Sequence, residues 1–281
     1  MNFKEILNKK TNVAPVAQKS LNRELKDRMV EFMDRDMFAL LIQPVVDFRN
    51  NAVFKGEVLS RLEHPERGVI FPDTFLPVIN ELNLYPRFDR YIFQKACVFM
   101  RTVQTSGAKM DCVSCNFSRK TLAEPTIAED LIRIANSYGV SHDKLAIEIT
   151  EREKHDDEQQ FIENLKNLRA AGFRIILDDY GTGVTSGDDL LNFPLDIVKI
   201  DRSVLLSAKT EEGKEAFRAL VALFVELGAD VVCEGIETKE QDKFARSAGC
   251  HYGQGFLYFK PERQQRVLDT IRKSDIDGKL A

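Results

Sequence analysis

The 281-residue sequence predicts an α/β fold, a TIM-like (β/α)8 barrel with an antiparallel first strand. Three observations carry this. Eight apolar or alternating runs are interleaved with helical patterns, which implies a mainly parallel sheet. The link around residues 48–52 is far too short for a parallel crossover, so the first two strands form a hairpin. Polar side chains collect at the ends of the later runs, where a barrel carries its functional groups. An open doubly wound sheet is the second arrangement compatible with this pattern.

The strand-like runs are 38–47, 52–62, 111–118, 144–150, 173–179, 196–201, 230–236 and 253–259. Residues 1–36 read as an N-terminal extension, partly helical, with Leu21, Leu25, Met29 and Phe32 on one side. The barrel is expected over 37–275, with a short tail at 276–281. Before Gly172, Phe161, Leu165 and Leu168 share a helical face. Phe217, Leu220, Val221, Phe224 and Leu227 repeat the scheme before Gly228. Thr121 with Glu124, and Thr238 with Gln241, have the spacing of capping boxes.

Composition narrows the function classes. A formal net charge of −4 argues against a DNA or RNA polymer as ligand, since such binding needs a basic surface. There is no 18-residue apolar run to cross a membrane and no apolar stretch of a secretory leader near the start. Five cysteines at irregular spacing (Cys97, Cys112, Cys115, Cys233, Cys250) fit reduced thiols in the cytoplasm. The CVSC at 112–115 puts its two cysteines on opposite faces of a strand, so it reads as strand rather than redox pair. His64, His142 and His155 stand in polar, surface-like contexts, and His251 precedes the last strand. No HxH or HExxH spacing occurs, which excludes the common zinc hydrolase pattern.

The strand ends hold Glu57 and Arg61, Asn116, Glu148 and Glu151, Asp178 and Asp179, Lys199 and Asp201, Glu234 and Glu237, and Gln254. Carboxylates at four successive strand ends would repel one another on one rim unless cations were bound. All-oxygen ligands suit hard cations such as Mg²⁺ or Mn²⁺, and their number exceeds the needs of one. The adjacent Asp178 and Asp179 pose a local problem, because neighbours on a strand point to opposite faces. Both reach one site if the strand ends between them, with YGTG at 180–183 supplying the turn.

These residues resemble the EAL-domain cyclic-di-GMP phosphodiesterases. The likeness runs through QPVVD (43–47), GEVLSRLEHPERG (56–68), CNFS (115–118), EITE (148–151), LDDYGTG (177–183), VKIDRS (198–203), CEGIET (233–238) and GCHYGQGFLYFKP (249–261). It implies hydrolysis of one phosphodiester bond of cyclic di-GMP to linear pGpG with two Mg²⁺ or Mn²⁺, in a protein that forms a homodimer and has protein regulators. By the resemblance, Glu57, Asn116, Glu148 and Asp178 hold one metal, and Asp178, Asp179 and Glu234 the other. It implies catalytic roles for Glu57, Lys199 and Glu234, with Lys199 near the water and phosphate. Gln43, Arg61, Gln254 and Pro261 would face substrate, and Glu151 and Glu237 would anchor loops. The chain departs from the family pattern at Val58, Leu62, His251, Gly253 and the VTSGDD of residues 184–189, while keeping every metal and lysine position. A catalytically weak or inactive receptor for the same nucleotide, or a protein-binding regulator, is the alternative that these departures keep open.

Overall fold

The structure is a computed structural model that describes residues 15–150, 158–182, 190 and 192–277. The strands among them are β1 (Phe38–Asp47), β2 (Ala52–His64), β3 (Gly68–Ile70), β4 (Cys112–Phe117), β5 (Leu145–Thr150), β6 (Arg174–Tyr180), β7 (Ile197–Ile200), β8 (Asp230–Cys233), β9 (Tyr252–Gly253) and β10 (Glu262–Arg263). The chain divides into two units, Met1–Ala39 with Arg61–Leu84, and Leu40–Ser60 with Tyr85–Ala281.

In the first unit, the helix Pro15–Asp34 buries Leu21, Leu25, Met29 and Phe32, the face its periodicity predicts. Phe38 and Phe75 meet edge to face, with ring centroids 5.2 Å apart. His64 corrects the surface reading, being only 3% exposed. Its Nε2 lies 2.9 Å from Glu24, and its Nδ1 accepts the backbone N–H groups of Glu66 and Arg67. The turn after β2 folds back and satisfies the ring, so a polar sequence context hides a buried histidine.

The second unit holds the barrel. Strands pair in the order β1, β9, β8, β7, β6, β5, β4, β2, and β2 pairs with β1 to close the ring. Neighbours from β2 round to β9 are parallel, whereas β1 is antiparallel to β9, as the hairpin requires. Helix Glu158–Ala170 buries Phe161, Leu165 and Leu168, and helix Glu211–Glu226 buries Phe217, Val221 and Phe224. Leu227 lies just past that helix and is exposed. The five cysteines are buried free thiols.

Two local expectations are corrected. The eighth strand pairs only over Tyr252–Gly253, rather than 253–259. The Gln254 N–H still donates to Cys233, but its carbonyl turns to the Ile236 N–H, and Tyr258 and Phe259 both donate back to Gly255. A Cβ on Gly255 would stand 2.1 Å from the Ile236 carbonyl oxygen, so this turn needs glycine. Thr121 caps nothing: it sits inside the short helix Arg119–Leu122, which Ser118 caps. Its hydroxyl instead donates to Asp89, 2.5 Å away. The Thr238–Gln241 capping box is present.

Inward-facing residues of the barrel form an apolar layer of Val45, Ala146, Ile176, Ile197, Val232 and Tyr252. Two residues further along their strands the inward positions are charged or polar.

Candidate active site

Strand alternation puts residues i and i+2 on one face. It therefore carries the barrel interior from Ala146 to Glu148, Ile176 to Asp178, Ile197 to Lys199, Val232 to Glu234 and Tyr252 to Gln254. On β2 the same step joins Lys55 to Glu57, and on β4 Ser114 to Asn116. Glu148 and Lys199 are 0% and 1% exposed, so the cluster lies in the barrel and not on its surface.

Lys199 Nζ stands 2.8 Å from Asp178 Oδ1, 2.8 Å from Glu234 Oε1 and 3.0 Å from Glu57 Oε2. Glu148 Oε2 is 3.6 Å away. Gln254 donates to Glu57 Oε2 at 2.7 Å, and Asn116, exposed at the rim, donates to Glu57 Oε1 at 3.4 Å. Burial pushes the Glu57 carboxyl up, but Lys199 and Lys55 pull harder and hold it at about 2. Burial pushes Asp178 up to about 7, with Lys199 opposing and Glu148 and Glu57 adding their charge. Burial likewise holds Glu234 well above the usual carboxylate range. Burial disfavours the Lys199 charge, yet the surrounding carboxylates win and hold its ammonium well above an ordinary lysine.

Asp178 and Asp179 do face the same place, though not as expected. β6 continues through both to Tyr180 instead of ending between them. Its register against β7 shifts between Leu177 and Tyr180, a bulge, and Asp179 adopts φ +57°. The bulge adds a residue on one side of the ladder and re-aims a side chain. The Asp179 N–H donates to Asp178 Oδ1 at 2.9 Å. Gly181 follows at φ +101°.

The result is two three-carboxylate groups with a common member: Glu57, Glu148 and Asp178, then Asp178, Asp179 and Glu234. In each, one oxygen per residue lies within 4.8 Å of the others. Two buried acceptors here, Glu148 Oε2 and Gln254 Oε1, have no hydrogen-bond partner. Leaving such groups unsatisfied is costly in a dry interior. Among the described residues, Lys55 pairs with Glu148, and Lys199 stands within 4 Å of Glu57, Glu148, Asp178 and Glu234, so acidic groups outnumber these two ammonium groups and the donor set fits hard divalent cations.

Beside the cluster, Gln43, Arg202, Glu234, Glu237, Gln254 and Phe256 line an open cleft. Glu237 is exposed and pairs with Arg202 at 2.8 Å. Gln43 donates to the Phe259 carbonyl at 3.3 Å. Pro261 is buried and does not line this cleft. Arg61 belongs to the first unit, where its guanidinium lies 5.1 Å from the centroid of the Phe71 ring. Glu151 and the VTSGDD segment lie outside the described residues.

Sequence reasoning missed Lys55. It is fully buried, 2.6 Å from Glu148 Oε1 and 2.9 Å from Ser114 Oγ. The signal was present: a lysine two residues before Glu57 shares its inward face.

A closed, mainly parallel barrel with carboxylates clustered at the C-terminal ends of its strands defines the class: an α/β barrel with an acidic site at its rim. The chain belongs to the EAL domain family, whose profile matches residues 23–261. Among its relatives are two cyclic di-GMP phosphodiesterases of Pseudomonas aeruginosa. NbdA is 27% identical over 256 residues, covering 91% of this chain and 33% of the relative. RocR is 30% identical over 242 residues, covering 86% and 62%. The chain thus spans between a third and three fifths of the length of these two curated relatives. The PaMucR phosphodiesterase in complex with c-di-GMP superposes with a TM-score of 0.80 at 29% identity, covering 87% of this chain and 100% of that one. The EAL enzyme Bd1971 shares the fold, with a TM-score of 0.82 at 24% identity over 91% of this chain and 72% of that one. Among the described residues, no helix is long and apolar enough to cross a membrane.

Proposed function

We propose that this chain is a metal-dependent phosphodiesterase that hydrolyses cyclic di-GMP to linear pGpG. The observation that carries the reading is the pair of carboxylate groups joined by Asp178, with Lys199 among them. The names of the relatives supply the substrate. Two Mg²⁺ or Mn²⁺ ions would be held by Glu57, Asn116, Glu148 and Asp178, and by Asp178, Asp179 and Glu234. Bound there, such ions neutralise phosphate charge and make a water molecule more acidic.

The protein groups do the rest. Lys199, ringed by carboxylates, stays an ammonium and offers its charge to a phosphate oxygen. It is therefore a donor, and we assign the proton of the attacking water to Glu234, whose carboxylate form bound cations would favour over the protonated form that burial favours. Gln254 uses its amide N–H on Glu57 and keeps its oxygen for a water or substrate donor. Gln43 borders the cleft where one end of the nucleotide would lie. The substrate roles of Arg61 and Pro261, the loop-anchoring roles of Glu151 and Glu237, the homodimer and the cytoplasmic setting rest on the family resemblance.

The test is direct. The protein is incubated with cyclic di-GMP and Mg²⁺ or Mn²⁺, and the products are separated by chromatography. Linear pGpG that vanishes in Glu57→Gln supports the reading. Binding without turnover makes the chain a receptor, and neither binding nor turnover removes the nucleotide from its function.

A further inference from the structure

Lys55 has no evident place in the stability of the barrel. Taking an ammonium and a carboxylate out of water costs several kcal/mol per ion, and an apolar residue of the same volume commonly does as well or better. Yet Lys55 on β2 and Glu148 on β5, with β4 between them, are both wholly buried, with Nζ and Oε1 2.6 Å apart. Ser114 Oγ holds the ammonium from β4 at 2.9 Å. The pairing is asymmetric in a way that matters. Lys55 takes Oε1, while Oε2 has no hydrogen-bond partner and lies 3.6 Å from Lys199 Nζ, the ammonium that also meets Glu57 and Asp178.

We infer that Lys55 is a positioning residue: it clamps one oxygen of Glu148 so that the other is presented, singly and in a fixed direction, to a cation shared with Glu57 and Asp178. This rests on the metal-site reading above. A buried carboxylate held on one side cannot rotate or offer both oxygens at once. Its geometry as a ligand is then set before the cation arrives, and ordering it at the moment of binding costs nothing. Partners that hold a ligand from behind in this way typically contribute 10–100-fold to metal affinity or activity.

The experiment measures Mn²⁺ binding to the full chain, without substrate, by electron paramagnetic resonance of the free ion, alongside thermal unfolding. Lys55→Met keeps the length and volume of the side chain and removes its charge. Ser114→Ala keeps the ion pair and removes one anchor of the ammonium. Expected is a loss of Mn²⁺ affinity of about 10–100-fold in Lys55→Met and a smaller loss in Ser114→Ala. At saturating Mn²⁺, kcat for cyclic di-GMP falls while KM changes little, a split that a merely structural role would not produce. If Lys55→Met does not fold, Ser114→Ala decides alone. Wild-type Mn²⁺ affinity in the folded variants overturns the role of Lys55 and leaves the metal site standing. Failure of the unsubstituted protein to bind Mn²⁺ overturns both.

Discussion

Two layers of the same barrel interior, one pleat apart, have opposite chemistry. The layer of Val45, Ala146, Ile176, Ile197, Val232 and Tyr252 is buried and apolar, with Phe54 packed against it and stacked on Tyr252 at 4.1 Å. The layer of Glu57, Glu148, Asp178, Lys199 and Gln254, with the half-buried Glu234, is almost as buried, but charged. Both are carried largely by the same strands, with side chains on the same face. The apolar layer contributes stability through burial, roughly 25 cal/mol per Å² removed from water. The charged layer contributes little or negative stability, since each carboxylate must be compensated. The proposed function thus falls on the layer that stability could most easily do without.

Substitutions on either side of that divide separate the two roles. The largest effect is expected in Asp178→Asn, the member common to both carboxylate groups. Turnover of cyclic di-GMP is expected to fall by more than about 100-fold, beyond the loss typical of residues behind the ligands. Its Tm in chelator should equal or exceed that of the unsubstituted protein at pH 8. A lowered Tm there would break the contrast between the layers. Two residues earlier on the same strand, Ile176→Ala is expected to cost about 2–5 kcal/mol in denaturant unfolding. The kcat of the folded fraction should not change, and a loss of kcat would show that the layers are coupled.

The next effect depends on pH. Asp178 titrates at about 7 in the folded protein, against an ordinary value of 3.8. The folded state thus keeps a proton that the unfolded chain releases, so the metal-free protein loses stability as pH rises from about 4 to about 7. Glu57 acts in the opposite sense, adding stability as pH rises from about 2 to its ordinary 4.5. Calorimetry in chelator should show a decline between pH 5 and pH 8, on the order of 2 kcal/mol. Added Mg²⁺ should raise Tm more at pH 8 than at pH 6, because a cation must displace the Asp178 proton at the lower pH. An increase in metal-free stability over that range would contradict the assignment. The smallest effect belongs to a residue in neither layer. Thr238→Ala removes one side of the capping box, costs about 1 kcal/mol and leaves turnover unchanged.

Much of this arrangement is legible in the amino-acid sequence, for reasons that differ by element. The hairpin followed from the reach of a few residues, and the parallel strands from runs bounded by helical patterns. The eighth strand was misread because Leu257, Tyr258 and Phe259 have strand-like side chains, while their backbone folds onto Gly255. The gathering of acidic residues followed from strand ends, but the roles of Asn116 and Gln254 came only from family resemblance. Alternation predicted Asp178 facing inward and failed for Asp179, because a bulge is a register property of two strands and not of one sequence. Lys55 was overlooked for the opposite reason: its inward parity was plain, but a lysine in a strand invites the assumption that it reaches solvent.

Asp179 carries one more consequence. Its φ of +57° lies where Asp, Asn and Gly are the residues most readily accommodated. Asparagine is one base away from aspartate in the genetic code and shares its tolerance for this backbone. One of the three carboxylates of the second group can thus be lost in a single mutational step with the bulge intact. On the proposed function, a path from catalyst to non-catalytic binder needs no rebuilding of the chain, only the exchange of an oxygen for an amide nitrogen.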